Sequence, residues 1–250
     1  MSVFVISAHV DCPNCNNWRD LQRRFVGDSV GDIEYGVIVN GCDVSKYTNV
    51  IYHIHKQTSH FNCIKIALDL FKSSKHDRLL LLDSDCWPVR INWINILDNL
   101  LCDRYLYAAP VRVENFDLFP HPCAFYMCRG FLKYVNFSHT IVENMIGVSV
   151  SDVGSGMPQY IDNKLIWHPL LKTNYISPHP VYASIYGDMF YHHCAGSRGI
   201  GFRASKYNFY DHIITRKEHM KIYEKVTTNL LYNPCRYIDK LRGIGIIRGD

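Results

Sequence analysis

Apolar runs alternate with helix-spaced patterns along the first hundred residues of this 250-residue chain. The runs over residues 3–9, 34–40 and 50–53 are typical of strands. Residues 16–25 are predicted to form a helix that follows a polar turn. A stretch from Ser59 to about Phe71 repeats its apolar positions every three or four residues, and Ser59 supplies an N-cap. Strands and helices that alternate in this way predict a mostly parallel α/β sheet with helices on its faces.

The most informative run is Leu79-Leu80-Leu81-Leu82-Asp83-Ser84-Asp85. Four consecutive leucines predict a central strand that is buried on both faces. Asp83 and Asp85 follow at its carboxyl end, where open α/β sheets bind their ligands, and the alternation of a strand puts both side chains on one side. Two carboxylates this close repel each other unless a cation or a proton lies between them. A hard divalent ion, Mg²⁺ or Mn²⁺, takes oxygen ligands of this kind, so the run predicts a metal site.

The second half of the chain carries weaker patterns. Helices are predicted over 91–101, 140–146, 158–163 and 217–232, and strands over 105–109, 124–128 and within 182–193. Histidine stands beside proline in Trp167-His168-Pro169, which is typical of a rigid turn. No repeat, low-complexity tract or linker divides the sequence, so we expect a single domain over residues 1–250.

Composition adds a compartment and a charge bias. Ten cysteines, with no secretory leader and no apolar run long enough to span a bilayer, predict a reducing, cytoplasmic location. The formal net charge is +4, and residues 196–250 hold more lysine and arginine than aspartate and glutamate. A basic C-terminal third suits an anionic partner such as a nucleotide, a nucleic acid or a membrane surface, although solvated helix faces give the same excess.

Several segments in order carry a family resemblance. They are Val5-Ile6-Ser7-Ala8-His9, Val37-Ile38-Val39-Asn40-Gly41-Cys42-Asp43, the helix after Ser59, the leucine strand with its Asp-x-Asp, and Tyr191-His192-His193-Cys194-Ala195-Gly196-Ser197-Arg198. Together they resemble glycosyltransferases of the GT-A fold, in the large inverting family. The resemblance implies one GT-A-like α/β domain, with a nucleotide-sugar-binding half over 1–110 and an acceptor-binding half with basic helices over 111–250.

The resemblance also implies roles for individual residues. Asp85 would bind Mn²⁺ or Mg²⁺ directly, and Asp83 would contact the metal or the ribose. One of His192 and His193 would complete the metal shell, with His193 preferred because it lies three residues before Gly196. The donor contacts would fall on Ser7, Ala8, His9, Asn40, Asp43, Asp83, Ser84, Asp85 and Arg198. The donor would be a nucleoside-diphosphate sugar of the uridine or guanosine type, and the acceptor a hydroxyl of a glycan or another polymer, nucleic acid included.

Transfer with inversion also requires a base for the proton of the acceptor hydroxyl. Asp152, in Ser151-Asp152-Val153-Gly154-Ser155-Gly156, is the first candidate for that base or for acceptor contact. Asp162 and His168 are the alternatives. An aspartate before glycines is also typical of a turn or a helix cap, so both interpretations of Asp152 stay open.

Two other functions fit parts of the sequence. Leu80 to Asp85 matches the opening of phosphatases that use a strand-end aspartate as the nucleophile. Here, however, the motif falls on the fourth strand, and Trp87 stands where those enzymes favour threonine or valine. The basic and aromatic stretch over residues 203–210 suits a non-enzymatic protein that binds nucleic acid by stacking and backbone contacts.

Overall fold

The computed structural model describes residues 1–12, 14–194 and 216–244. In chain order the strands are β1 (Ser2–Val10), β2 (Asp32–Asn40), β3 (Val50–Ile54), β4 (Arg78–Asp83), β5 (Cys86–Pro88), β6 (Tyr107–Pro110), β7 (Ala124–Cys128), β8 (Val142–Glu143), β9 (Ser149–Val150), β10 (Tyr160–Ile161), β11 (Lys164–Leu165), β12 (Trp167–Leu170), β13 (Ser184–Tyr186) and β14 (Phe190–His192). The helices are α1 (Cys15–Gly27), α2 (His60–Ser73), α3 (Trp93–Asp103), α4 (Arg216–Tyr232) and α5 (Pro234–Arg242).

A mixed sheet of seven strands forms the centre of the fold, in the order β12-β6-β7-β4-β1-β2-β3. β1 pairs in parallel with β2 and β4, β2 with β3, and β6 with β12. β7 is antiparallel to both of its neighbours, β4 and β6. The predicted α/β class, a mostly parallel mixed sheet flanked by helices, is confirmed.

β4 is the clearest case of a strand that is buried on both faces. Leu79 and Leu81 pack into a cluster with α2, whereas Leu80 and Leu82 pack into a second cluster with α3 on the opposite face. Burial of a leucine side chain contributes about 1.5–3 kcal/mol, so the two clusters hold this strand firmly in the middle of the sheet. The residues that follow β4 therefore leave the sheet from a fixed point.

A third apolar cluster joins α1 to the C-terminal helices. It contains Trp18 of α1, Trp87 of β5, Tyr191 of β14, Leu230 of α4 and Leu241 of α5. The rings of Trp18 and Trp87 stack with their centroids 6.1 Å apart. Among the described residues, no helix combines the length and the apolar character that a bilayer crossing requires.

Two predicted helices are wrong, and both regions form short hairpins instead. In the first region, β8 pairs with β9, and the Asn144 side chain accepts hydrogen bonds from the backbone N–H groups of Ile146 and Val148, which closes a turn. In the second region, β10 pairs with β11, which follows directly after residue 163. Asp162 and Asn163 lie between these strands at φ values of 49° and 62°, the positive angles that a tight hairpin turn requires.

The segment Trp167-His168-Pro169 is also not a rigid turn. It forms most of β12, which pairs in parallel with β6 at the edge of the large sheet. An edge position accommodates Pro169 because proline has no N–H group to donate to a second neighbouring strand.

Candidate metal and donor site

The two aspartates lie at the carboxyl end of β4. Asp83 is the last residue of that strand, and Asp85 lies in the short turn that leads into β5. One ligand atom from each of Asp83, Asp85 and His192 lies within 4.8 Å of the other two. The two carboxylates thus lie close together on one side, although Asp85 belongs to the turn and not to the strand.

A distant hairpin brings His192 to this turn. β14 pairs with β13 and, on its other side, with β5, and His192 stands opposite Cys86 in that register. The backbone N–H of His193 donates to the carbonyl oxygen of Asp85 at 3.0 Å, which extends the pairing by one step. The histidine segment is therefore attached to the aspartate turn through its backbone.

His192 and His193 point to opposite sides of β14. His192 Nε2 lies 3.5 Å from Asp85 Oδ1 and 3.7 Å from Asp83 Oδ2. The ring nitrogens of His193 instead contact the Tyr191 hydroxyl at 2.8 Å and the Thr227 hydroxyl at 3.0 Å. The structure thus brings His192 to the aspartates, whereas protein hydroxyls contact both ring nitrogens of His193, the histidine that the sequence analysis preferred.

His60 is a neighbour of the site that the sequence analysis missed. It is the first residue of α2, and its Nε2 lies 3.1 Å from Asp83 Oδ1. Ser59 caps the helix by accepting a hydrogen bond from the N–H of Asn62 at 3.3 Å, so the cap fixes where His60 begins the helix. A histidine directly after a predicted N-cap was the available signal, but nothing in the sequence shows that α2 starts beside β4.

The charges of the site balance one another. Burial alone would raise the pKa of Asp83, but His60 and His192 bring it well below the ordinary aspartate value. The pKa of Asp85 is likewise lowered by His192, against the effects of burial and of the Asp83 carboxylate. Burial alone would lower the pKa of His192, yet Cys123 and Asp85 raise it well above the ordinary histidine value. The arrangement favours positive charge between the two carboxylates.

These residues fit a divalent cation. Two carboxylate oxygens and one imidazole nitrogen form a mixed oxygen and nitrogen donor set, which suits Mn²⁺ and is less typical of Mg²⁺. Asp85 and His192 are only 4% exposed, and the side chain of Asp83 is 20% exposed, so the group opens to solvent on the Asp83 side. Three protein ligands leave coordination positions for oxygens of another molecule.

Three of the predicted donor contacts are committed to internal hydrogen bonds. Ser7 is fully buried and donates to the carbonyl oxygen of Leu82 at 3.0 Å. His9 is fully buried, and its Nε2 lies 3.0 Å from Gln22 Oε1. The amide of Asn40 makes two hydrogen bonds to the backbone of Thr58, at 2.8 and 3.0 Å. These side chains hold the carboxyl ends of β1 and β2 in place.

The other predicted donor contacts lie in different surroundings. Ala8 stands opposite Asp83 in the β1–β4 register, and Ser84 is buried in the aspartate turn. Asp43 is exposed and caps the short 3₁₀ turn Val44–Lys46 by accepting from the backbone N–H of Ser45 at 2.9 Å. Arg198 lies outside the described residues.

Asp152 forms an ion pair with Arg112, which also pairs with Asp117. Arg112 Nη2 lies 3.1 Å from Asp152 Oδ2 and 2.9 Å from Asp117 Oδ2. Burial opposes ionisation of Asp152, but Arg112 and then His121 lower its pKa to about 2. The ring centroid of His121 is 5.9 Å from that of His192. His121 therefore lies near both Asp152 and the His192 ring at the aspartate turn.

The two alternatives to Asp152 lie elsewhere in the fold. Asp162 is exposed in the turn between β10 and β11, and His168 lies on β12 at the edge of the large sheet. The contacts described for His168 include the Tyr105 ring, with centroids 5.0 Å apart. The structure therefore brings neither of them to the aspartates.

Comparison with known proteins gives similarity of structure only. No protein-family model matches the chain, and no curated protein does. Several of the solved structures that it resembles are glycosyltransferases.

Three of these structures show the extent of the similarity. A197 from STIV matches with a TM-score of 0.40 and 12% identity, over 77% of this chain and 94% of that one. The mannosyltransferase PcManGT from Pyrobaculum calidifontis, in complex with GDP-Man and Mn2+, matches with a TM-score of 0.41 and 10% identity. The match covers 52% of this chain and 45% of that one. A glycosyltransferase involved in the glycosylation of the major capsid of PBCV-1 matches with a TM-score of 0.33 and 14% identity, over 53% of this chain and 63% of that one. All three TM-scores lie below 0.5, so these similarities assign no role to any residue of this chain.

Proposed function

We propose that this chain is a metal-dependent glycosyltransferase that moves a sugar from a nucleoside-diphosphate sugar to a hydroxyl acceptor with inversion. One observation supports this most strongly: the group formed by Asp83, Asp85 and His192 at the carboxyl end of the central strand. Open α/β sheets bind ligands at that end of their strands. A pair of carboxylates, one buried and one partly exposed, completed by an imidazole is suited to hold a divalent cation, which would bind the diphosphate oxygens of the donor.

The residues of the site would have different roles in activating the donor. Asp83, Asp85 and His192 would hold the ion, with Mn²⁺ favoured by the imidazole. A divalent ion held there supplies Lewis-acid stabilisation of the negative charge that grows on the leaving diphosphate. His60, 3.1 Å from Asp83 and on the exposed side of the group, is placed to orient that carboxylate or to contact the phosphate.

Asp152 is the proposed contact for the acceptor. Arg112 keeps its carboxylate ionised and oriented, and 40% of the Asp152 side chain is exposed. An ionised carboxylate accepts a hydrogen bond from an acceptor hydroxyl and aligns it for attack. A pKa of about 2 makes Asp152 a weak general base, because proton transfer is most efficient when the pKa of the base lies near the working pH.

The geometry favours this function over the aspartate-nucleophile phosphatase. A nucleophilic aspartate acts through one oxygen that is free for phosphorus, whereas ligand atoms of Asp83, Asp85 and His192 all lie within 4.8 Å of one another, a grouping that suits all three to one shared cation. The stretch over residues 203–210, on which the nucleic-acid alternative depends, lies outside the described residues.

A thermal-shift experiment with a matched control tests the proposal. Uridine and guanosine diphosphate would be added to the wild type with and without Mn²⁺. One of them should raise the melting temperature only with metal, because a ligand at one hundred times its Kd stabilises the native state by about 2.7 kcal/mol. Asp85→Asn should abolish the shift, whereas Asp69→Asn, the same change on the exposed side of α2, should retain it.

Two results would contradict the proposal. The first is a wild type whose melting temperature responds to no combination of metal and nucleotide. The second is an Asp85→Asn variant that responds as the wild type does. Hydrolysis of the matching sugar nucleotide, followed by release of the diphosphate, provides an independent measurement of the same site.

A further inference from the structure

Gln22 is a fully buried polar residue on the apolar face of α1. Its neighbours on that face, Cys15, Trp18, Leu21 and Val26, pack against the body of the protein. Burial of an amide without hydrogen bonds costs on the order of 2–7 kcal/mol, so an amide in this position calls for a full set of partners.

The amide nitrogen of Gln22 contacts the backbone on both sides of the aspartate turn. Nε2 donates to the carbonyl oxygen of Asp83 at 2.9 Å and to the carbonyl oxygen of Cys86 at 2.6 Å. Ser84 and Asp85 lie between these two residues. Because carbonyl oxygens only accept hydrogen bonds, the NH₂ group must face them, and the orientation of the amide is settled.

The amide oxygen of Gln22 is held from two other strands. Oε1 accepts from the Tyr35 hydroxyl of β2 at 2.7 Å and pairs with His9 Nε2 of β1 at 3.0 Å. Since Oε1 only accepts, His9 must carry its proton on Nε2. Both donors and both acceptor positions of the amide are therefore used, which fixes it relative to β1, β2 and the turn.

We propose that Gln22 is a positioning residue for the metal site, an inference that rests on the proposed function. Asp83 and Asp85 repel each other across a short turn, and this repulsion favours backbone conformations that separate the carboxylates. Gln22 opposes such a separation by binding the carbonyl groups at both ends of the turn to one rigid amide. The two carboxylates then stay within reach of His192, ready for a cation.

The decisive variant is Gln22→Met, which keeps the length of the side chain and removes all four hydrogen bonds. Val26→Ala is the matched control, since it removes buried apolar volume from the same face of α1 one turn later. Tyr35→Phe is a milder variant that deletes only the hydroxyl bonded to Oε1. Two quantities are measured for each: the Kd for Mn²⁺ by titration calorimetry, and deuterium uptake by the backbone amides of residues 84–87.

Gln22→Met should raise the Kd for Mn²⁺ at least tenfold and speed deuterium uptake in the turn. Tyr35→Phe should change both in the same direction, with a two- to fivefold rise in Kd. Val26→Ala should leave the Kd and the deuterium uptake near their wild-type values, even if its melting temperature falls as far as that of Gln22→Met. If Gln22→Met does not fold, Tyr35→Phe is the deciding variant: a two- to fivefold rise in Kd supports the inference, and an unchanged Kd refutes it.

Three outcomes would overturn the inference. They are a Kd within twofold of wild type in Gln22→Met, an equal loss of Mn²⁺ binding in Val26→Ala, and deuterium uptake in the turn that no variant alters. A wild type that binds no Mn²⁺ would refute the proposed function instead. In that case deuterium exchange would still test the role of Gln22. Faster uptake in Gln22→Met would support the inference that Gln22 stabilises the turn, and unchanged uptake would refute it.

Discussion

His192 reaches the carboxylates of Asp83 and Asp85 because β14 pairs with β5 in one particular register. A shift of that register by one residue would present His193 to the aspartates and turn His192 away. The present register is fixed by contacts on the far side of β14, where the His193 ring packs on Trp18 with centroids 4.6 Å apart and contacts Thr227 of α4. The two histidines therefore have separable roles.

Substitution of each histidine should separate metal binding from stability. His192→Ala removes a proposed ligand and should weaken Mn²⁺ binding by about tenfold or more, since even outer partners of metal ligands are worth about 10–100-fold. His193→Ala should lower the melting temperature and change the Kd for Mn²⁺ by much less. Titration calorimetry and thermal unfolding of both variants check this, and equal losses of Mn²⁺ affinity would contradict it.

The sequence could predict that one histidine of the pair faces the aspartates, but not which one. Alternation along a strand gives the first statement. The second depends on the pairing of residue 192 with residue 86, and no local pattern encodes that long-range register. The same limit explains His60 and Gln22, whose positions follow from where α2 and α1 meet the ends of the sheet.

His179 makes stability depend on pH away from the site. Its Nδ1 accepts from the backbone N–H groups of Val181 and Tyr182 at 3.0 and 3.2 Å, so its Nε2 carries the proton and faces His219 at 2.8 Å. A doubly protonated ring would point an N–H group at two other N–H groups. Burial, followed by the nearby His219 and Lys172, accordingly lowers the pKa of His179 to about 3.

Acid should therefore destabilise the wild type more than His179→Asn. His179 takes up its proton near pH 6.5 in the unfolded chain but only near pH 3 in the folded protein. The contribution of neutral His179 to the free energy of unfolding is therefore complete above pH 6.5 and is lost as the pH falls. Between pH 6.5 and 4.5 the wild type should therefore lose about 2 kcal/mol more free energy of unfolding than His179→Asn, at about 1.4 kcal/mol per pH unit. Urea unfolding at pH 7.5 and 4.5 measures these free energies, and His139→Asn, at an exposed histidine, is the control. Equal pH dependence in the wild type and in His179→Asn would contradict the expectation.

At the scale of elements, the helices α1, α2, α3 and α4 form where the sequence predicts them, and so do the short strands β3, β6 and β7. Each of these helices buries apolar side chains in one of the three clusters. The two short segments predicted as helices behave differently. Residues 140–146 hold four apolar side chains, but Ile141, Met145 and Ile146 stay exposed, so no stripe is buried. Residues 158–163 hold only two, Tyr160 and Ile161. Local turn chemistry at Asn144 and at Asp162-Asn163 decides their conformation instead.

The loop that carries Asp152 depends on the close approach of Gly154 to another segment. Gly154 has a φ of +99°, and a Cβ atom there would lie 2.2 Å from the carbonyl oxygen of Pro120. Neither the angle nor the space accepts a side chain. The glycine after Asp152 is therefore required by the path of the loop, consistent with the turn interpretation of this sequence.

Gly154→Ala should displace the loop and lower stability by about 1–3 kcal/mol, the typical cost of a strained backbone position. Gly130→Ala is the control, because the nearest atom to a Cβ there is Cys128 Sγ at 4.0 Å. Denaturant unfolding gives the free energies, and a Gly154→Ala variant as stable as Gly130→Ala would show that the loop relaxes without strain. A displaced loop should also weaken any acceptor contact made by Asp152.

At the scale of the whole molecule, the two halves drawn from the resemblance share one apolar cluster. Trp18 and Trp87 come from the half over 1–110, whereas Tyr191, Leu230 and Leu241 come from the half over 111–250. β7, of the second half, also lies between β4 and β6 of the first. Each half therefore buries apolar side chains against the other, and we propose on this basis that residues 1–250 form a single domain.

This shared packing predicts that the described body of the protein unfolds in one step. Leu230 is fully buried in the third cluster, and Leu230→Ala should cost about 2–5 kcal/mol because it leaves a cavity among these side chains. In calorimetry, the wild type should give one transition whose calorimetric and van't Hoff enthalpies agree, and Leu230→Ala should move the whole transition to lower temperature. If the two halves were independent domains, the substitution would move only the part of the heat absorption that belongs to residues 111–250 and leave the rest in place.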